Sequence, residues 1–370
     1  MSGLFRELRI GDLAIEIPIL QGGMGVRVSS SSLVSAVSNE GGLGVIAAVG
    51  LGEVDACSEL DFKQCSRDAF VRVVRRTREL TAKPFGVNIM CALSNYEDLV
   101  DAAQKESVPV IISGAGLPLR LPSLISNSST KLIPIVSSAR ATQIICSVWL
   151  RRYRRLPDAV IVEGPLAGGH LGYSLAELAD SHNFNLGKIL REVLEVVRGF
   201  ESRGSIPVIA AGGVFDGEDI AGMFSLGASG VQMGTRFVCT HECDVAQAYK
   251  DTFVAAEKED IVVIQSPVGM PGRVVNNDFV KKINSGERVD FGCSYHCLST
   301  CDPSKVNYCI AKALINASRG EMDKGFAMCG SNAFRIKKIV SVKDLMSELT
   351  SDACRYLDAY EKGRFLLNHS

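Results

Sequence analysis

The chain has 370 residues, 46% of them apolar and 22% charged, with a formal net charge of −1. That length can bury a large core and carry a second, smaller unit. A charge so near zero excludes a general polyanion-binding surface. No apolar run approaches the roughly 20 residues of a membrane-spanning helix. Neither nucleic acid nor a membrane is therefore an expected partner. The start, Met1-Ser2-Gly3-Leu4-Phe5-Arg6-Glu7, lacks the long apolar core of an export signal. The twelve cysteines are accordingly expected as reduced thiols in a cytoplasm, not as a disulfide framework.

Short apolar runs alternate with amphipathic stretches over the first two-thirds of the chain. Strands are predicted at 17–20, 43–47, 85–88, 110–113, 132–136, 159–163, 207–210 and 230–233. Helices are predicted at 30–39, 68–80, 96–106, 139–154, 187–203 and 216–225. The basic run Arg151-Arg152-Tyr153-Arg154-Arg155 reads as the solvated end of one of them, before Leu156-Pro157. Strands apolar on both faces and separated by helices mean parallel β/α units. Eight such units predict an α/β fold, a (β/α)8 TIM barrel, with a doubly wound open sheet as the alternative. The barrel is assigned to residues 1–238. The pattern then changes, and residues 239–335 are expected as a small, mainly helical, Cys-containing capping domain that takes part in substrate binding. Residues 336–370, opened by the serine cap of Ser341, are expected to be helical and to pack back on the barrel.

Most of the glycine clusters follow strands. Gln21-Gly22-Gly23-Met24-Gly25 follows the first. Val160-Ile161-Val162-Glu163 runs into Gly164-Pro165-Leu166-Ala167-Gly168-Gly169-His170, which frames one histidine. Ala210-Ala211-Gly212-Gly213-Val214 follows the seventh strand, and Gln232-Met233-Gly234-Thr235 the eighth. Barrel active sites lie at the C-terminal ends of strands, and phosphate sites commonly use the loops after strands seven and eight. The backbone at Gly212-Gly213 and Gly234-Thr235 could cradle a phosphate at helix N-termini; tight turns alone are the alternative. No G-x-G-x-x-G follows the first strand, so a Rossmann site is not indicated. A flat phosphorylated cofactor suits such loops, flavin mononucleotide (FMN) best. Gln21, Asn88 and Gln232 are strand-end amides able to bond a flavin ring or ribityl chain, or simply a loop. His170 is placed for proton transfer near neutral pH. His241 is expected at a helix start, and His182 in a mobile surface loop.

As an ordered set, Gln21-Gly22-Gly23-Met24, Gly86-Val87-Asn88, Ala167-Gly168-Gly169-His170, Ala211-Gly212-Gly213-Val214 and Gln232-Met233-Gly234-Thr235-Arg236-Phe237 resemble the nitronate monooxygenase family. That family is also called 2-nitropropane dioxygenase-like and includes flavin-type enoyl-ACP reductases. The resemblance implies a flavin-containing barrel with a small cap. It implies FMN contacts from Asn88, Gly168, Gly169, Gly212, Gly213, Gln232, Gly234 and Thr235. It also implies that Gly22 and Met24 lie near the isoalloxazine and that His170 handles protons over it. Two chemistries are open on a small-molecule substrate: oxidation of nitronates with dioxygen, or reduction of enoyl thioesters by NAD(P)H. Leu166 stands where family members often have an acid. Glu163 is counted with the cofactor contacts. It is more like the reductase branch, and burial beside a flavin would raise its pKa.

Cys293, Cys297, Cys301 and Cys309 form C-x3-C-x3-C-x7-C, with His296 close by. The first three fall at i, i+4, i+8, which a helix or a loop could bring together. Four thiols within seventeen residues suggest an iron–sulfur cluster or zinc, although the spacing matches neither common pattern; buried or redox-active thiols are the alternative. With such a cluster as the working part, a flavin/iron–sulfur electron-transfer or sensor protein is a further alternative, and a protein electron donor and a homodimer are compatible with it. The other cysteines, Cys57 and Cys65 among them, are read as core or surface thiols.

Overall fold

The computed structural model describes residues 6–54, 61–127, 129–289, 291–293 and 296–361. Eight parallel strands carry the chain around a barrel: β1 (Ile19–Gln21), β2 (Val45–Ala47), β3 (Gly86–Met90), β4 (Val110–Gly114), β5 (Lys131–Val136), β6 (Val160–Glu163), β7 (Val208–Ala211) and β8 (Gly230–Met233). Their order is β1-β8-β7-β6-β5-β4-β3-β2. A parallel bridge from Leu20 to Leu43 closes the ring, with Leu43 N donating to Ile19 O and Gln21 N to Leu43 O, both at 3.0 Å. Closure removes every sheet edge, so the open-sheet alternative falls.

Side chains alternate inward and outward along each strand. Leu20, Val45, Val110, Ile112, Ile133, Ile161 and Ile209 share one buried cluster with the hairpin strands Leu8–Ile10 and Leu13–Ile15. An ion pair between Lys131 and Asp12 joins the barrel's N-terminal end to that hairpin. At the opposite end, Glu163 and Ala211 lie two residues on from Ile161 and Ile209 in the same inward phase, and Asn88 and Gln232 share it by register, opposite Ile112 and Ala211. There the polar side chains meet a cavity instead of core.

Six helices lie outside the barrel: α1 (Ser31–Asn39), α2 (Phe62–Leu80), α3 (Tyr96–Lys105), α4 (Ala139–Tyr153), α5 (Leu186–Arg198) and α6 (Gly217–Ser225). α4 ends as the basic run predicts, with Arg154 left-handed at φ 55°. After β8 comes only a four-residue turn of helix, Thr235–Val238. The chain leaves the barrel, supplies α7 (Ile310–Ser318), and returns as α8 (Val342–Glu361). Val342, Leu345, Met346, Leu349 and Ala353 form the buried stripe of α8, which packs on α6 and α1 and so fills the eighth helix position. The excursion has a neck. His241 N donates to Val340 O at 2.9 Å and Val340 N to Cys239 O at 3.2 Å.

The excursion is not helical throughout. β9 (Ile261–Gln265) and β10 (Pro271–Val275) form an antiparallel hairpin, and β10 also pairs with the two-residue strand Gly169–His170. Its alternating apolar residues carry a strand signal that the glycine and proline between the runs obscure. His241 lies in a turn, not at a helix start; the next helix opens at Gln247. Cys65 is disulfide-bonded, which departs from the expectation of thiols throughout. The ten other described cysteines are in no disulfide, and Cys57 lies outside the described residues. No described helix is long and apolar enough to cross a membrane.

α6 meets α8 at Gly217, where a Cβ would stand 2.4 Å from Ala353 N and Asp352 Cβ. Overpacking of this kind costs about 1–3 kcal/mol. Gly217→Ala should therefore lower the melting temperature, as read by calorimetry. An unchanged melting temperature would mean that the eighth helix is not seated as described.

Candidate flavin site at the C-terminal end of the barrel

The strand ends and the excursion enclose a cavity of about 270 Å³. Twelve of the residues singled out from the sequence line it: Gly22, Met24, Asn88, Glu163, Gly168, Gly169, His170, Gly212, Gly213, Gln232, Gly234 and Thr235. Gln21 does not. It is fully buried, and its amide is spent inside the fold, donating to Ser29 Oγ at 2.7 Å and accepting from Val45 N at 3.2 Å.

His170 sits on the strand paired to β10, with Gly272 opposite it. That pairing sets its ring against Ser266, at 2.8 Å from Nε2 to Oγ. Ser266 is 4% exposed and also accepts from Val268 N at 3.3 Å. Among the described residues Nδ1 has no hydrogen-bond partner. Burial pulls the His170 pKa down to about 4, so the ring is neutral at pH 7. Glu163 shows the opposite response to the same cause: burial pushes its carboxyl up to about 7. Tyr173 Oη donates to the Glu163 carbonyl at 2.7 Å, while no described residue hydrogen-bonds the side chain.

The phosphate-type end is built from three loops, and the sequence reading had found two. Gly212 and Gly213 adopt φ of 88° and 105°, which favours glycine. A Cβ on Gly212 would lie 2.7 Å from Gly164 O. The third loop is Gly330-Ser331-Asn332. Gly330 N donates to Thr235 Oγ1 at 2.9 Å, and Asn332 Nδ2 to Gly213 O at 2.7 Å. Gly168 lets its backbone reach this loop, since a Cβ there would stand 2.6 Å from Gly330 N. A glycine followed by two small polar residues was the available signal, weak without strand context.

Helix N-termini contribute less here than expected. Asp216 caps α6, accepting from Glu218 N and Asp219 N at 3.1 Å. The helix after Gly234 has four residues. Nearby positive charge comes from Arg236 and Arg335, whose guanidinium carbons lie 4.7 and 4.2 Å from the Phe215 ring centre.

A bound polar group fits this cavity on two counts. Gln232 Oε1 and Ser331 Oγ are buried without a hydrogen-bond partner among the described residues, which is costly unless something else supplies one. The glycines leave space that side chains would fill.

The cysteine quartet is in a loop and not on a helix. Only Cys297 of the four reaches the main cavity. Among the described residues no three His, Cys, Asp or Glu are grouped to hold a metal ion. The relatives described next lend no support to iron–sulfur or zinc.

The nitronate monooxygenase family model matches residues 6–352. A (3aS,4S,5R,7aS)-5-hydroxy-7a-methyl-1-oxo-octahydro-1H-indene-4-carboxyl-CoA dehydrogenase of Mycobacterium tuberculosis is 33% identical over 75% of this chain and 68% of its own. A probable nitronate monooxygenase of Staphylococcus aureus is 27% identical over 74% of this chain and 79% of its own. Among solved structures, FabK from Thermotoga maritima superposes with a TM-score of 0.74 at 31% identity, covering 95% of this chain and 96% of that one. Nitroalkane oxidase from Streptomyces ansochromogenes shares the fold, with a TM-score of 0.72 at 21% identity over 93% and 97% of the two chains. The barrel, the glycine loops and these similarities agree: the chain belongs to the nitronate monooxygenase family of flavin-dependent oxidoreductases.

Proposed function

We propose that the protein is an FMN-dependent oxidoreductase of the nitronate monooxygenase type, oxidising alkyl nitronates or a related small acid with dioxygen, with His170 as its proton-handling group. The observation that carries this reading is the state of His170. It is neutral, one ring nitrogen is held by Ser266, and the other, beside the strand ends, has no partner among the described residues. A neutral imidazole so held can take a proton from a carbon next to a nitro group, or hydrogen-bond the anion that results.

The cofactor would be held by this chain as follows. Gly212, Gly213, Gly234 and Thr235, with Gly330, Ser331 and Asn332, would take the phosphate. Asn88, Glu163 and Gln232 would bond the ring or ribityl chain, and Gly22 and Met24 would lie against the ring. Gly168 and Gly169 keep their loop close to it. When bound, FMN supplies an acceptor for the substrate's electrons and a route onward to dioxygen.

A second reading, an acyl thioester oxidoreductase using a nicotinamide donor or acceptor, is favoured by a specific feature. The excursion side of the cavity is apolar, with Val268, Leu298, Ile310 and Leu314, more wall than a small nitronate needs. The similarity to a carboxyl-CoA dehydrogenase and to the FabK enoyl reductase points the same way. Anaerobic titration separates the two. Bleaching of the flavin bands by an alkyl nitronate, with none by NADH or NADPH, supports the first; bleaching by NAD(P)H overturns it in favour of the second.

His170→Asn should retain FMN and lose roughly 10²–10⁴-fold in turnover, the usual weight of general acid–base catalysis. Unchanged turnover would remove His170 from the mechanism. Gly213→Val should purify colourless. Its φ of 105° is unsuited to valine, and a Cβ would sit 3.1 Å from Leu166 Cβ. A yellow variant would place the phosphate elsewhere.

Ionisation gives a further test. Burial raises the Glu163 pKa to about 7 in the folded protein, from an ordinary value of 4.5. Its contribution to stability is thus present below pH 4.5 and is lost as pH rises through 7. His170, with a lowered pKa, behaves the opposite way: its contribution is present above 6.5 and lost as pH falls through about 4. In flavin-free protein, Glu163→Gln should raise the melting temperature more at pH 8 than at pH 5. Equal shifts at both pH values would show that the carboxyl ionises as it does in water.

A further inference from the structure

The oxidoreductase site leaves four cysteines unused, and they surround a second cavity. Cys293, Cys297, Cys301 and Cys309 line an enclosed space of about 20 Å³, together with His296. None of the four is in a disulfide. The rest of the lining is mainly apolar, including Phe291, Leu298 and Ile310.

This cavity shares a wall with the main one: Cys297, Leu298 and Ile310 line both. The wall is tied to the barrel. Ser94 N donates to Cys297 O at 3.0 Å, Ser299 N to Ala92 O at 2.9 Å, and Leu298 bridges to Leu93. Thr300 Oγ1 donates to Val268 O at 3.2 Å, two residues from Ser266. Cys309 occupies the N-cap of α7 without a side-chain cap bond.

The arrangement discriminates between kinds of thiol ligand. A single zinc ion needs its sulfurs to converge to about 2.3 Å from one point, and no three described ligands do so. A polynuclear cluster instead takes its cysteines at its corners, around a volume. Soft thiolates in a largely apolar pocket suit iron and inorganic sulfide. We propose that this cavity is the seat of an iron–sulfur cluster ligated by Cys293, Cys297, Cys301 and Cys309. The cluster would be separated from the flavin cavity by the single layer Cys297, Leu298 and Ile310.

The test is elemental and spectroscopic. Protein produced with ample iron and purified without oxygen should contain iron and acid-labile sulfide in equal amounts, and after reduction it should give a paramagnetic resonance signal. Cys301→Ser and Cys309→Ser should lose iron and sulfide yet keep flavin, whereas Cys354→Ser, on α8 and away from both cavities, should keep all three. If a cysteine variant fails to fold, the iron and sulfide content of the unaltered protein decides alone. Absence of iron and sulfide, both as purified and after anaerobic reconstitution with ferrous iron and sulfide, overturns the proposal. So does zinc in their place, or a disulfide between any two of the four. Flavin retained without iron would sink the cluster and leave the oxidoreductase reading standing.

Discussion

The site depends on four backbone positions: Gly169 and His170 from a barrel loop, paired with Arg273 and Gly272 from β10. Neither side holds the geometry alone. A two-residue strand has too few hydrogen bonds to persist by itself, and the β9–β10 hairpin without a third strand is marginal. Joined, they fix the histidine ring against Ser266 and roof the cavity. Arg273 completes the joint from beneath. It is 7% exposed, and its guanidinium donates to the Ala167 carbonyl, so a buried charge ties the loop to the hairpin at a second point. An unpaired charge in that position would be costly, which makes the loop's path hard to alter.

Desolvation sets the chemistry inside. The same cavity holds an acid that resists ionising and a base that resists protonating. Near neutral pH His170 carries no charge and Glu163 is poised at its midpoint. A substrate anion entering this space therefore meets few fixed charges, and neutral donors and orphaned acceptors define its contacts. The two guanidinium groups at Phe215 lie on the glycine-loop side, each paired with an acid, Arg236 with Glu348 and Arg335 with Asp216. Polarity thus runs from a polar phosphate-type end to an apolar wall on the excursion.

Local pattern made the barrel legible. The run Val160-Ile161-Val162-Glu163 is apolar on both faces because helices cover one and the barrel core the other, and this recurs at every strand. Boundaries slipped by a residue or two, as at β1, because the closing ladder and not hydrophobicity sets where pairing stops. The site was legible where glycine is obligatory, at Gly168, Gly212 and Gly213. It failed where the contact is remote in sequence. Ser266 is 96 residues from His170, and the Gly330-Ser331-Asn332 loop lies 119 residues after Gly213. Gln21 misled in the other direction. A strand-end amide reads alike whether it faces a ligand or its own loop, and only the closing strand shows that its bonds are used.

The neck at Cys239 and Val340 explains why a barrel can carry so long an excursion between β8 and α8. Both ends of the inserted chain leave from one pair of backbone hydrogen bonds, so the barrel bears no strain from what lies between. The consequence is a division of labour. Phosphate-type loops and inward strand-end side chains belong to the barrel and are fixed by its register. Ser266, the apolar wall of α7 and the cysteine loop belong to the excursion. Substrate preference can then change by repacking the excursion while the cofactor loops stay in place, provided that the Gly169–His170 pairing survives. In this chain the excursion brings thiols to the wall of the cavity as well as apolar side chains, so the same segment that shapes the substrate space places sulfur chemistry one residue layer away.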